Sequence, residues 1–437
     1  MSGGVAYIDA FCWLHKVGWN LGRTLYQSPE VGRRMVIESF LKLVEIVRSS
    51  GGTHRWCPHP VFDGAPSPAK SNEDARRHAQ RRQHLAKATK LEGQKRGLSK
   101  EARKHYNAWW RPSPELVHEL CIALAARCVP FTVAPHEADG QISYMCNKAS
   151  GTSIYIGVDS DAAVTIERVF FWDNRYDPGR RTGGGIECVR SEMLSRRDGA
   201  KSLTGFSDLQ FLLVCVLSGC DYVSKTDHAS GVGFATAIKV VRDHHTIDDV
   251  ISHVVTCGKY KISPTTGQSI RAAIYHFLHP IVYDAETGEH VHRTSIPAAE
   301  LQQVKDTLGG SLRPLGDVWP RQVAQDMANS VVHPLTRLPF APPPTELSVT
   351  VPRGGQTDSQ RTILLGGRIE NALRRLPPPK PLPSGPLYRR ALQRCGVTLD
   401  IAPDREIDES VLVKVSNCAC VHACHYVCHR CVAYACT

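Results

Sequence analysis

The sequence contains no apolar run long enough to cross a membrane. Even FLLVCVLSGC, residues 211–220, is far short of the roughly 20 residues a spanning helix needs. A secretory leader is not evident either. The opening MSGGVAYIDAF is neither basic nor a long apolar run, and Asp9 interrupts it. Paired cysteine spacings are missing from the body of the chain. Of 16 cysteines, six crowd into the last twenty residues and the other ten are scattered. That pattern excludes a disulfide scaffold and reads as reduced thiols in a cytosolic or nuclear protein. Acid is in short supply: 42 Asp and Glu face 53 Lys and Arg, a net charge of +11. Such a balance speaks to association and favours a polyanionic partner such as nucleic acid.

What is present supports a folded body. The chain has 437 residues and is 42% hydrophobic, enough for a sizeable core. Up to about residue 335, short apolar strands alternate with helical segments, which predicts an α/β fold with a mainly parallel sheet. From RLPFAPPPTELS onward the composition changes, and LRRLPPPKPLPSGPLYRR is proline-rich and basic, the composition of a linker or disordered tail. The expected division is a body over 1–340 and a tail over 341–437. The terminal NCACVHACHYVCHRCVAYACT has Cys and His at spacings that suggest zinc. Every residue after Asn417, however, belongs to the set encoded by codons alternating pyrimidine and purine. A translated repeat accounts for the segment, and we expect no metal there.

Four apolar runs end in acids. VAYID ends at Asp9, PVFDG carries Asp63, VPFTVAPHEADGQ carries Glu137 and Asp139, and SIYIGVDSD ends with Asp159 and Asp161. A single Asp after a strand is ordinarily a turn or helix cap. Turn preference does not explain the repetition. In parallel α/β sheets function gathers at the carboxyl ends of strands. If these runs are neighbouring strands, six carboxylates converge, and Asp221, after FLLVCVLSGC, could join them from a helix end. So many like charges repel strongly in a low-dielectric cleft and need cations. Hard oxygen ligands suit Mg²⁺ or Mn²⁺. Two such ions about 4 Å apart would suit phosphodiester hydrolysis.

Two further segments fit a phosphate-bearing substrate. SGVGFATAIKVV is a Gly-x-Gly turn entering an amphipathic helix, and free N–H groups at a helix start can hold a phosphate. Residues 76–104, RRHAQRRQHLAKATKLEGQKRGLSKEARK, form a strongly basic helical stretch. It is either a solvated face or a grip on backbone phosphates.

Taken together, DAFCWLHK, VFDGAPSPAK, VAPHEADGQ, VDSDAAV and LSGCDYVS followed by GVGFATAIKVV resemble the flap-endonuclease/XPG superfamily of structure-specific 5′ nucleases, in that family's order and at comparable separations. Within it the likeness is greatest to the exonuclease 1 branch, since CWLHK follows the first Asp, the acidic motif is Glu-Ala-Asp and the aspartate pair reads Asp-Ser-Asp. It spans about residues 5–340, including HFLHPIVYDAETGEHV and VWPRQVAQDMANSVVHPLTR. The resemblance implies a PIN-like nuclease core, with an N-terminal nuclease region over about 1–110, an internal region over about 120–245, a helical arch, and a helix–two-turn–helix motif near 221–243.

It also implies roles. Asp9, Asp63, Glu137, Asp139, Asp159, Asp161 and Asp221 match the metal-binding acids. Lys70 and Arg77 match the basic pair facing the scissile phosphate. Phe11 and His15 lie where the family packs rings against the DNA end. Arg81 and Arg82 are expected on DNA. Ser230, Gly231 and Gly233 belong to the duplex-binding motif, with K⁺ implied beside it. The implied activity is a Mg²⁺-dependent 5′→3′ double-stranded DNA exonuclease that also cleaves 5′ flaps. It would act as a monomer in nuclear DNA repair or recombination, on 5′ ends, nicks, gaps or flaps, with mismatch-repair proteins as partners. A flap endonuclease is the nearest alternative. The family begins with Met-Gly and a short apolar helix some twenty residues before the first Asp, whereas Met1 here stands eight residues before Asp9. A DNA-end-binding protein with impaired catalysis is therefore the alternative of another class. VSKTDHASGVG is slightly longer than the family's loop, and no sliding-clamp motif or exonuclease 1 partner-binding tail is recognisable.

Overall fold

The computed structural model describes residues 4–49, 56–149, 151–172, 185–195, 202–244 and 246–340. The proline-rich tail and its Cys-rich end lie outside the described residues. Six strands form the main sheet: β1 (Val5–Asp9), β2 (Cys57–Phe62), β3 (Thr132–Val133), β4 (Ser153–Gly157), β5 (Arg168–Trp172) and β6 (Gly185–Val189). Their order is β3-β2-β1-β4-β5-β6. All pairs are parallel except β5–β6, which is antiparallel. The expected α/β class and mainly parallel sheet are observed.

The order matters more than the class. The acid-bearing runs are β1, β2, β3 and β4, and these are four consecutive neighbours, with Asp9 level with Val61. The chain leaves β1 toward β2 on one side and later returns to β4 on the other. The crevice between β1 and β4 is thus the switch point at which parallel sheets bind ligands.

Strands covered on both faces read as nearly continuous apolar runs. Alternate residues face opposite ways. Ala6, Ile8, Ile154 and Ile156 join Phe40, Leu120 and Leu124 in one core. Tyr7, Val61, Tyr155 and Val169 join Ala138 and Ile142 in another. A third core belongs to a helical lobe built from Asp208–Ser218, Phe234–Asp243, Ile247–Thr256 and Thr266–Leu278. A two-stranded hairpin, β7 (Ile281–Asp284) and β8 (Glu289–His292), lies in the HFLHPIVYDAETGEHV segment. Among the described residues no helix is long and apolar enough to cross a membrane. The nine described cysteines are all free.

The basic stretch is two helices and not one. Ser71–Gly93 carries most of it, and Lys100–Trp109 follows after a break at 94–99. Lys95 has φ of +55°, a left-handed conformation that no continuing α-helix allows. Ser99 caps the second helix by accepting from Ala102 N–H at 3.1 Å. The two helices pack on each other, with Tyr106 donating to Glu92.

Candidate active site

Each acid is placed by the element that precedes it. Asp9 ends β1 and caps the helix Ala10–Gly18, accepting from Cys12 N–H at 3.1 Å and from Cys12 Sγ at 2.6 Å. Asp63 follows β2 and accepts from Ala138 N–H at 2.8 Å. That bond requires the loops after β2 and β3 to touch. They do: Gly64 N–H donates to His136 O at 2.7 Å and Ala65 N–H to Pro135 O at 3.0 Å. A Cβ on Gly64 would lie 2.0 Å from Ala134 O, so only glycine permits the approach. Glu137 caps the helix Ala138–Lys148, and Asp139 is in its first turn. Asp159 and Asp161 follow β4, and Asp161 N–H donates to Asp159 Oδ1 at 3.1 Å. Asp221 follows the helix Asp208–Ser218.

Asp9, Asp63, Glu137, Asp139, Asp159 and Asp221 line one cleft of about 1460 Å³, together with Lys70, Arg77, Phe11 and His15. Asp161 lines a small cavity of about 40 Å³ that shares Lys70, Glu137 and Asp139 with the cleft. All seven acids are therefore brought to one place. Arg81 and Arg82 lie on the helix Ser71–Gly93 above it. Ser230, Gly231 and Gly233 do not line the cleft. They belong to the helical lobe, where Ser230 bridges Lys261, Gly231 has φ of +97° and Gly233 caps the helix Phe234–Asp243.

The electrostatics of the cleft are uneven. Burial, then repulsion from Asp9 and Glu137, pushes Asp63 up to about 7. Burial and the neighbouring Asp159 push Asp161 up to about 8. Asp9 and Asp139 are raised by burial first and by Asp159 as well. Oδ1 of Asp139 is buried without any hydrogen-bond partner. On the other side, Lys70 donates to Glu137 at 2.5 Å, and Arg77 reaches Asp221 at 3.2 Å and Glu73 at 2.7 Å. Burial is the largest single influence on Lys70 and opposes its charge, but Glu137, Tyr222 and Asp221 together outweigh it and hold the ammonium well above its ordinary range. Burial, with Arg81, Arg111 and Arg77 nearby, drives His15 down to about 4, so its ring is neutral and packs edge-on to Trp110 at 5.8 Å.

These residues fit hard divalent cations. The donors are oxygens, one is buried without a partner, and four acids are held in a state that a cation would relieve. Among the described residues no group of three or more His, Cys, Asp or Glu side chains stands already arranged to hold an ion. The reason is visible in the pairings. Asp9 is turned to Cys12, Asp63 to Ala138 N–H, Glu137 to Lys70 and Asp221 to Arg77.

Two residues of the site have no counterpart in the sequence-based expectations. Tyr222 donates to Glu137 at 3.1 Å, lies 4.6 Å beneath the Lys70 ammonium and stacks on His276. His136 donates from Nδ1 to Ala65 O at 3.1 Å and accepts Asp317 N–H at Nε2, at 2.9 Å, fixing the loop before Glu137. Tyr222 directly follows Asp221, and His136 directly precedes Glu137. Adjacency to a candidate acid was the available signal.

No protein-family model matches the chain. Curated sequences do. Exonuclease 1 of Arabidopsis thaliana is 30% identical over 341 residues, 78% of this chain and 42% of that protein. Flap endonuclease 1 of Phaeosphaeria nodorum is 28% identical over 250 residues, 56% of this chain and 58% of that protein. The chain spans about two fifths of the length of the exonuclease 1 relatives it matches. Among solved structures, the catalytic core of Rad2 in complex with DNA substrate covers 75% of this chain and 92% of its own at 14% identity, with a TM-score of 0.40. At that score the likeness adds nothing to the argument. The sequence match extends over more than three quarters of the chain, and by it the protein belongs to the flap-endonuclease/XPG superfamily of nucleases.

Proposed function

We propose that this chain is a divalent-metal-dependent 5′→3′ exonuclease acting on double-stranded DNA, able also to cleave 5′ flaps, in nuclear DNA repair or recombination. The observation that carries the proposal is the adjacency of β3, β2, β1 and β4, each ending in an acid at one cleft, with Lys70 and Arg77 on the opposing wall. Asp9, Asp63, Glu137, Asp139, Asp159, Asp161 and Asp221 would hold the cations, Mg²⁺ or Mn²⁺, two in number. When bound, these supply an activated water and neutralise the leaving oxygen.

The chain's own groups do the rest. Lys70 and Arg77 meet the phosphate and stabilise the charge that grows on it as the bond breaks; pre-aimed cations of this kind are typically worth a few kcal/mol in the transition state. Both now bond acids of the cluster, so they are placed to turn from those acids to the phosphate. Tyr222 and His276 hold Lys70 in position. Phe11 and the neutral ring of His15 offer an uncharged wall for the strand end. Ser230, Gly231 and Gly233 would contact duplex backbone away from the cleft, with K⁺ beside them, and Arg81 and Arg82 would bind phosphates along the strand.

A flap endonuclease is the second proposal, supported by the match to flap endonuclease 1 of Phaeosphaeria nodorum. The test is cleavage of end-labelled blunt, recessed and 5′-flapped duplexes with Mg²⁺ and with EDTA. Mononucleotide-sized products from blunt and recessed ends support the exonuclease. Cutting at flap junctions alone supports the second proposal. Binding without cleavage on every substrate defeats both and leaves a DNA-end-binding protein.

A further inference from the structure

The helices Ser71–Gly93 and Lys100–Trp109 run antiparallel and meet along one seam whose two halves differ. Toward the connecting turn the seam is apolar, with Ala88, Leu91 and Ala102 buried. Toward the cleft it is held by imidazoles. Nδ1 of His84 lies 2.9 Å from Nδ1 of His105, with the ring centroids 5.2 Å apart. Farther down, Nη1 of Arg111 donates to Nε2 of the exposed His78 at 3.0 Å. Both contacts need a bare imidazole nitrogen. In the His84–His105 pair one ring donates Nδ1–H and the other accepts, so at most one of the two rings can be charged. His78 accepts from a guanidinium, which has no acceptor to offer, so its ring is neutral.

The surroundings oppose a second proton. The charges that act on His84 are His105, Lys87 on its own helix and Lys104 on the other. Glu101, one turn before His105, pairs with Arg96 at 3.1 Å. Glu92 is taken by Tyr106 and, from the helix Gly22–Gln27, by Arg23 and Gln27. Arg111, Arg81 and Arg82 surround His78 and are opposed by Asp74, while Glu73 is held by Arg76 and Arg77. Burial first, then His105 and the two lysines, keeps His84 below the ordinary histidine range; burial, then Arg111 and Arg81, does the same for His78. We propose that this seam is an acid-operated release, in which protonation of both rings of the His84–His105 pair, joined by His78, parts the cleft-side half of the helical hairpin while the sheet stays folded. Two imidazoliums in contact repel, and the flanking lysines add to the repulsion. The seam's contribution is present above the unfolded histidine value near 6.5 and is lost as pH falls below it. The helix Ser71–Gly93 also carries Arg77 to Asp221, so release draws that cation from the cleft. The inference does not depend on the nuclease function above; it places a pH response outside the acid cluster.

The experiment is amide hydrogen exchange on the full chain in EDTA without DNA, at about pH 7.5 and about pH 5.5, either side of the histidine range. Each amide is normalised to its intrinsic rate at that pH. One proton taken up on opening lowers protection about tenfold per pH unit below the histidine value. Protection around His84 and His105 should therefore fall by about tenfold, while that of β1 and β4 holds. Reading each fall against those strands in the same molecule keeps loss of overall folding from imitating it. His84→Gln keeps an acceptor for His105 and takes no proton, so it should remove most of the fall. His84→Leu combined with His105→Leu extends the apolar half of the seam and should remove it likewise. Protection of the hairpin that is level between the two pH values overturns the proposal. So does an equal fall in β1 and β4, which would be global acid unfolding, and so does a fall that persists undiminished in both variants.

Discussion

Two sets of carboxylates in this protein have opposite surroundings. Asp227, in the loop before the Gly-x-Gly turn, accepts hydroxyl hydrogens from Thr265 at 2.7 Å, Ser263 at 2.8 Å, Ser224 at 2.9 Å and Ser269 at 3.2 Å. Those bonds, Thr265 and Ser263 foremost, hold it below the ordinary carboxylate range. The cleft acids have no such ring of donors. Burial pushes Asp63 to about 7 and Asp161 to about 8, and Oδ1 of Asp139 has no partner. The chain can satisfy a carboxylate with its own hydroxyls and does so where the carboxylate ties a loop to the helix Thr266–Leu278. In the cleft its donors reach Asp9, Asp63, Glu137 and Asp221 but leave Oδ1 of Asp139 bare. A group left unsatisfied at a cost in stability is poised for a partner from solution, as is characteristic of functional sites.

The comparison is broken most directly at the aspartate pair after β4. Asp159→Ala or Asp161→Ala should abolish cleavage of 5′-labelled duplex in Mg²⁺, a loss on the order of 10³-fold or more if metal assistance supplies several kcal/mol. DNA binding in a gel-shift assay should persist, since phosphate contacts elsewhere remain. Asp227→Ala, by contrast, should cleave at close to the unmodified rate. If either cleft variant hydrolyses DNA normally, the two sets of carboxylates do not differ in function.

Next in size are the cations that face the cleft acids. Lys70→Ala and Arg77→Ala should slow cleavage by about 10²–10³-fold and weaken binding far less, as expected for charge that acts mainly on the transition state. Equal losses in rate and affinity would reduce them to ordinary backbone contacts.

Much of this was legible in the sequence, for definite reasons. Strands ending in acids can be seen because burial on both faces gives runs such as SIYIG and VAYI, and an acid that ends such a run breaks the pattern. The order of the strands could not be seen. Adjacency of β2, β1 and β4 depends on crossovers through helices as long as Pro29–Ser49, and no local signal encodes them. β3 is two residues long, too short for any periodicity, and was inferred from the acids that follow it. The division of the basic stretch at 94–99 was missed because charge density is blind to a left-handed Lys95. Tyr222 reads as one more aromatic in an apolar segment until its hydroxyl is found 3.1 Å from Glu137. Arg111 lies beyond the basic run and is brought to His78 only by the packing of the helices Ser71–Gly93 and Lys100–Trp109.

Stability should separate the two sets in the other direction. Asp227→Ala leaves the hydroxyls of Ser263, Thr265 and Ser269 without their common acceptor, a loss of about 1–3 kcal/mol. A denaturant midpoint lowered with unchanged slope would show it. Asp161→Asn should leave the midpoint in EDTA unchanged near neutral pH, where the raised carboxyl is already protonated, and raise it above about pH 8, where it removes a buried charge. A midpoint lowered equally by both changes would mean that the cleft acids are structural after all.

The smallest effect is the dependence of stability on pH, and it carries the comparison to its sign. A carboxyl whose folded value is raised contributes stability that is fully present below its unfolded value and is lost as pH rises through the folded one. For Asp63 and Asp161 the folded values are about 7 and about 8. Asp227 behaves oppositely, its contribution being present above the unfolded value and lost in acid. Histidines complicate the acid side. His15, His59 and His276, each pushed down to about 4 chiefly by burial, add stability as pH rises toward their unfolded value near 6.5. The clean window therefore lies above about pH 6.5, up to about 8. There, in EDTA, the melting temperature should fall as pH rises, and Asp161→Asn should reduce the fall. Mg²⁺ binds the charged form and competes with the proton, so adding it should flatten the fall, and do so less in Asp161→Asn than in the unmodified chain. A melting temperature that is level across this window in EDTA, or indifferent to Mg²⁺ throughout it, would show that the cleft carboxylates are as well satisfied as Asp227 and await no cation.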